Sequence, residues 1–160
     1  MSVRLLGSQA GEAGFTTLIW SVNYPTDKVF YLSDMDEDND GPNGNPTNDP
    51  YWQPETTLKY QGKSIDSFKV AGVVVPLWLP RKVGPIVLGC QARVTNMATG
   101  HMEDAVVYDL GPTTKSGEGS NLLCQRMGVG GGENRPLFMY EIFPGVPAIV
   151  DGVSYALQHI

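Results

Sequence analysis

Apolar residues in this chain come in short runs, each cut off by glycine, proline, asparagine or aspartate. The runs at 15–24, 28–33, 68–79, 85–95, 104–108, 137–143, 148–150 and 153–158 are rich in Val, Ile, Tyr and Phe, and they read as strands. Residues 23–27, with Pro25, and 96–101, with Gly100, read as hairpin connections. Asp151-Gly152 between two apolar runs is the strongest two-residue hairpin signal. Only one stretch has helical spacing. Ser116 is placed to cap it, Leu122, Leu123 and Met127 line one side of 118–127, and Gly128 ends it. The pattern predicts a mainly β, single-domain protein over residues 1–160, with one or two short helices. A small barrel-like core is favoured over a sandwich.

Residues 34–61 break this rhythm. They are polar, acidic and full of Asn, Pro and Gly, and they read as one long loop. Loops of that length in a compact domain often carry function. Asp34, Asp36, Glu37, Asp38 and Asp40 concentrate five acids in seven residues, and elsewhere acids and bases nearly balance in a chain of net charge -6. Nucleic acid is not an expected partner, because phosphate binding needs a basic surface. At 160 residues, 41% apolar and 18% charged, the chain is long enough to bury a core. No apolar run reaches the ~18 residues of a membrane span, so no membrane is expected as a partner. Residues 1–14 lack the apolar stretch of a signal peptide. Cys90 and Cys124 form no metal-binding or disulfide pattern, and two reduced, partly buried thiols are expected.

Three features carry candidate chemistry. The first is Asp36-x-Asp38-x-Asp40-Gly41, which matches the first half of a calcium-binding EF-hand loop. It fails at the twelfth position, where Thr47 replaces the required glutamate, so no metal is expected. The cluster is then a solvated acidic turn or an anionic subsite for a positively charged ligand. The second is a pair of carboxylates, Asp109 at the end of an apolar strand and Glu118 after the Gly111-Pro112 break. Two carboxyl groups flanking one short loop suit glycoside hydrolysis, which needs one acid and one base or nucleophile. They equally suit capping roles at strand and helix ends. The third is Tyr51-Trp52, aromatic in a polar loop. The rings either stack on a ligand or fold back over the loop. Trp20 and Trp78 lie in strand patterns and are expected in the core, while His101 and His159 belong to no catalytic motif.

Taken in order, these pieces resemble the chitosanases of glycoside hydrolase family 75. The acidic stretch Asp34-Met35-Asp36-x-Asp38-x-Asp40-Gly41 is similar to that family's DMDxDxDG signature. The likeness continues through Asp49-Pro50, Gln53-Pro54-Glu55-Thr56 and Val74-Val75-Pro76-x-x-Leu79-Pro80. It then takes in Val107-Tyr108-Asp109-Leu110-Gly111-Pro112 with Gly117-Glu118-Gly119-Ser120, and ends at Phe143-Pro144-Gly145. Gly119 stands where the family has Ala, Tyr108 where Gly is common, and the acidic motif lacks the Cys often found in secreted members. None of these departures removes a carboxylate.

The resemblance implies an endo-acting, inverting hydrolase of chitosan, with no cofactor; the alternatives are a hydrolase of another polysaccharide on the same scaffold and a non-catalytic carbohydrate-binding module. It implies catalysis by Asp109 and Glu118, and a monomer is expected. Its polymeric substrate implies action outside the cell. Asp34, Asp36 and Asp38 are expected to face the cationic sugar with Tyr51 and Trp52, and Gln53 and Thr56 to order the loop or the substrate. If Ser116 caps a helix, Glu118 lies in its first turn, where the helix dipole favours the ionised form. That favours Glu118 as the base and Asp109, behind an apolar strand, as the acid, while a nearby cationic substrate favours the ionised form of either carboxyl and leaves the assignment open.

Overall fold

The computed structural model describes residues 1–11, 14–84, 87–112 and 115–160. In chain order the strands are β1 (Val3–Ala10), β2 (Thr16–Val22), β3 (Lys28–Asp38), β4 (Lys59–Tyr60), β5 (Lys63–Ser64) and β6 (Gly72–Pro76). They continue with β7 (Cys90–Asn96), β8 (Met102–Gly111), β9 (Glu118–Ser120), β10 (Glu133–Pro147), β11 (Ile149–Val150) and β12 (Val153–Ser154). Two short helices, α1 (Leu79–Val83) and α2 (Asn121–Arg126), complete the described elements.

The main sheet runs β1-β2-β3-β10-β7-β8-β6-β9, and β9 pairs back onto β3. Six strands therefore close into a barrel, as the sequence predicts, and the β1–β2 hairpin extends from its wall at β3. Most pairs are antiparallel, but β3–β9 and β6–β8 are parallel. β6 lies between β8 and β9, and all five of its residues are buried, which explains its unbroken Gly-Val-Val-Val-Pro run. Met35, Val73, Val75, Val107 and Phe138 belong to the core. Tyr31 and Tyr140, opposite each other in the β3–β10 register, stack with ring centroids 4.9 Å apart.

Several boundaries differ from the sequence reading. The 34–61 loop is shorter, because Asp34–Asp38 is the end of β3, paired to β10 on one side and to β9 on the other. The predicted 68–79 strand is cut to β6, and Leu79 begins α1 instead, with Pro80 in its first turn, where a missing N–H costs nothing. Pro85 and Ile86 of the predicted 85–95 strand lie outside the described residues, and the strand found is β7. The predicted 118–127 helix begins later: Glu118–Ser120 is β9, and Ser120, not Ser116, caps α2 by accepting the Leu123 N–H. Ser116 instead lies buried with its hydroxyl 3.3 Å from that of Ser33. Residues 1–14, read only for a leader, contain β1.

The Asp151-Gly152 hairpin forms as expected, with both turn residues at positive φ. Both cysteines are fully buried and are not bridged to each other. Trp78 packs against the core as expected, but Trp20 does not lie in it. Trp20 is half-buried on the outer face of the hairpin, opposite Leu5 and Phe30 in register. No helix among the described residues is long and apolar enough to cross a membrane.

Candidate active site

The barrel closure builds a row of side chains on one wall. Val74 of β6 pairs with Asp109 of β8 on one side and with Glu118 of β9 on the other. Glu118 in turn pairs with Asp36 of β3. Residues directly opposite in a ladder share a face, so Asp109, Val74, Glu118 and Asp36 project together. They face away from Met35, Val73 and Val75, their alternating neighbours in the core. All four line an open cleft of about 640 Å³. Asp109 and Glu118 lie two strands apart, with β6 between them, a step of ~9.5 Å at the ordinary strand spacing.

Asp109 owes its place to an irregularity. The β6–β8 register steps from Val73↔Val107 to Val74↔Asp109, leaving Tyr108 as an extra residue in β8. Such bulges re-aim side chains next to functional sites. Here the bulge breaks the in–out alternation, and Ala105 to Asp109 are buried without interruption.

The two carboxyl groups are held differently. Oδ1 of Asp109 accepts hydrogen bonds from the Thr57 N–H at 3.0 Å, the Thr57 hydroxyl at 2.5 Å and its neighbour Leu110's N–H at 2.9 Å. Burial raises its pKa, while these donated bonds pull the other way and favour the carboxylate. Glu118 has no such support: among the described residues none donates a hydrogen bond to its carboxyl. Burial, reinforced by the charges of Asp38 and Asp36, pushes it up to about 8, with Lys115 acting in opposition. Glu118 lies in β9, outside α2, so the helix-dipole argument for an ionised Glu118 falls. Glu118 is the group that holds its proton near neutral pH, and Asp109 is the one equipped to hold charge.

The cleft floor is acidic. Burial raises Asp36, next to Asp34, to about 6, and raises Asp38 to about 7 against the bond it accepts from Tyr108. Asp38, Asp40 and Asp109 each bring a carboxylate oxygen within 4.8 Å of the others, close enough to share one cation. Asp49 and Tyr51 line the same cleft, and Tyr51 is 84% exposed. Lys115, 3.9 Å from Asp36, is the cation on its rim.

The loop over this floor is fixed by its own polar side chains. Asn43 Nδ2 donates to the carbonyls of Asn39 and Asp40, and Asp40 Oδ1 accepts the Gln53 N–H at 2.6 Å. Trp52 donates its indole N–H to Asn43 Oδ1 and so folds back into the loop, whereas Tyr51 stays at the cleft. Gln53 is exposed beside this network and orders the loop through its backbone. Thr56 is buried, its hydroxyl accepting the Ile65 N–H, so it is a loop residue and does not line the cleft. Asp34 is also displaced from the expected site: it is buried, accepts the Ser33 hydroxyl at 3.1 Å, and does not line the cleft.

The structure thus brings together Asp109, Glu118, Asp36, Asp38 and Tyr51, and leaves Asp34, Trp52, Gln53 and Thr56 behind them. The sequence reading missed Thr57, whose two donors sit on Asp109. Only its closeness to Thr56 in the polar loop could have pointed to it.

Gly117 anchors this arrangement. At φ +84 it occupies the left-handed region, and an added Cβ would lie 2.4 Å from Asp34 Oδ1. Its carbonyl accepts the Asp36 N–H at 2.7 Å, locking β9 against β3. Gly117→Ala is expected to cost roughly 2–4 kcal/mol in chemical denaturation, from backbone strain plus overpacking. A loss below ~0.5 kcal/mol would show that the segment relaxes freely.

No family model and no curated protein matches this chain.

Proposed function

We propose that this protein is an endo-acting, inverting glycoside hydrolase of chitosan. The observation that carries this is the Asp109/Glu118 pair. It unites a carboxyl that keeps its proton with a carboxylate held by donated hydrogen bonds, two strands apart in an acidic cleft. Inverting hydrolysis needs ~6.5–9.5 Å between the two carboxyl groups, to leave room for a water. Two ordinary strand spacings across β6, ~9.5 Å from backbone to backbone, support a separation of that order. The motif order described above adds the substrate: β-1,4-linked glucosamine, a polycation wherever its amines are protonated.

The chemistry divides between the two groups. Glu118 donates its proton to the leaving-group oxygen, and the Asp109 carboxylate takes a proton from the water attacking the anomeric carbon. This reverses the roles favoured from the sequence, because half-buried Glu118 has no donor to its carboxyl among the described residues, whereas buried Asp109 accepts three hydrogen bonds. Thr57 holds Asp109 in orientation through Oδ1. Asp36 and Asp38 receive glucosamine ammonium groups, and Tyr51 offers a ring face to a sugar.

Ionic strength tests the electrostatic part. Steady-state kinetics on chitosan between 20 mM and 500 mM salt should show KM rising several-fold, with kcat changing far less, because screening weakens capture before it touches chemistry. A KM that does not move with salt contradicts capture by the acidic floor. A digestion panel of chitosan, chitin and peptidoglycan tests the substrate class, with reducing ends expected from chitosan first.

A further inference from the structure

Asp38 is gripped at both oxygens. Oδ1 accepts the Asp40 N–H at 3.2 Å, and Oδ2 accepts the Tyr108 hydroxyl. Tyr108 is the extra residue of the β8 bulge, next to Asp109, and its ring is fully buried. The ring fits because residue 72 has no side chain: a Cβ on Gly72 would lie 2.4 Å from Tyr108 Cδ1. Gly72 has an ordinary strand conformation, so the contact with the ring, not the backbone, demands glycine there. The Gly72 N–H is in turn held by Ser120 Oγ at 3.0 Å, two residues past Glu118. Gly72, Tyr108 and Asp38 thus form one chain of contacts from the start of β6 to the cleft floor.

We propose that Tyr108 is a positioning residue that fixes the Asp38 carboxylate toward the cleft, with Gly72 as the space that admits its ring. A hydrogen bond from a neutral donor to a half-buried carboxylate restrains the rotamer and stabilises the charge. Asp38 needs that help, because Asp40 follows it, Asp109 faces it from β8, Glu118 from β9 and the buried Cys124 thiol from α2. With the charge and rotamer fixed, Asp38 presents a formed site for an ammonium group. Tyr108 acts through Asp38 and does not touch substrate. Its effect on substrate preference rests on the chitosan reading, whereas its grip on Asp38 does not.

Tyr108→Phe keeps the ring and removes only the hydroxyl, and Gly72→Ala disturbs the same contact from the other side. Two measurements separate the claims. The first is a ¹³C NMR titration of the Asp38 carboxyl, which needs no substrate. Asp38 is expected to titrate at clearly higher pH in Tyr108→Phe than in the wild type, because the bond that favours its charge is gone. Titration at the same pH in both proteins overturns the proposal. The second is the ratio of kcat/KM on glucosamine tetramer to that on N-acetylglucosamine tetramer. Tyr108→Phe and Asp38→Asn should each lower it roughly tenfold, the scale of losing one hydrogen bond to a charged group, and the double variant should lower it no further. A merely structural role would slow both substrates alike and leave the ratio unchanged, which also overturns the proposal. If the wild type cleaves neither tetramer, the chitosan reading fails and the titration alone decides whether Tyr108 positions Asp38.

Discussion

Glu118→Gln and Asp109→Asn are each expected to lower kcat on chitosan by at least ~10³-fold while leaving the affinity for oligosaccharide within a few-fold of the wild type. General acid–base catalysis contributes ~10²–10⁴ for one positioned group, and here each amide removes a proton donor or acceptor without changing shape. The two losses should differ in detail. Glutamine at 118 cannot donate a proton to the leaving oxygen, so substrates with a better leaving group, such as an activated aryl glycoside, should recover part of the rate. Asparagine at 109 cannot activate water, and a small nucleophile such as azide should restore turnover there. The wild-type pH profile of kcat/KM follows from the same division. Activity should fall on the alkaline side through about 8, as Glu118 loses its proton, and on the acid side as Asp109 gains one. Rescue by a better leaving group in Asp109→Asn, in place of Glu118→Gln, would exchange the roles.

The second large effect is on stability. A glutamate whose folded pKa is about 8 and whose unfolded pKa is ~4.3 binds its proton more tightly in the native state. Its stability contribution is complete below ~4.3 and is lost as pH rises through about 8. Asp38 near 7, and Asp36 and Asp34 near 6, act with the same sign. The wild type should therefore melt at lower temperature at pH 9 than at pH 5. Glu118→Gln, which has no charge to bury, should melt ~5–10 °C above the wild type at pH 9, a difference of a few kcal/mol for a domain of this size. The gap should close at pH 4. Equal melting temperatures at pH 9 would mean that Glu118 is ionised without cost, which removes the reason to make it the acid. A rise in stability on loss of a proposed catalytic group is the expected trade between function and stability.

The barrel was legible where its strands are rich in Val, Ile, Tyr and Phe, as in β6, β8 and β10. It was not legible where pairing overrides propensity. Asp34–Asp38 has too many acids for a strand and is held in one by neighbours on both sides, a tertiary effect invisible in local composition. The β1 strand was hidden because Gly7 sits at its register shift, and its apolar residues do not alternate cleanly. The helix start was misplaced because Ser116 and Ser120 are both capping residues, and only Ser120 finds the Leu123 N–H.

The site shows the same division. Asp109 and Glu118 stood out as carboxylates flanking a Gly-Pro break, but their common neighbour is Val74, more than thirty residues earlier in the chain. The balance between them depends on Thr57, which the chain brings to Asp109 from fifty-two residues away. Burial and donors decide which carboxyl keeps its proton, and neither can be read from spacing. Asp34 illustrates the opposite error: it shares the acidic motif and its strand face with Asp36 and Asp38, yet the 116–117 turn covers it.

The most direct test is ¹H NMR of a chitosan digest in its first minutes, before mutarotation, with Glu118→Gln as the control. The expected result is new reducing ends released as the α-anomer by the wild type and not by the variant. A first product in the β-anomer, or no product from chitosan at all, would contradict an inverting Glu118/Asp109 pair.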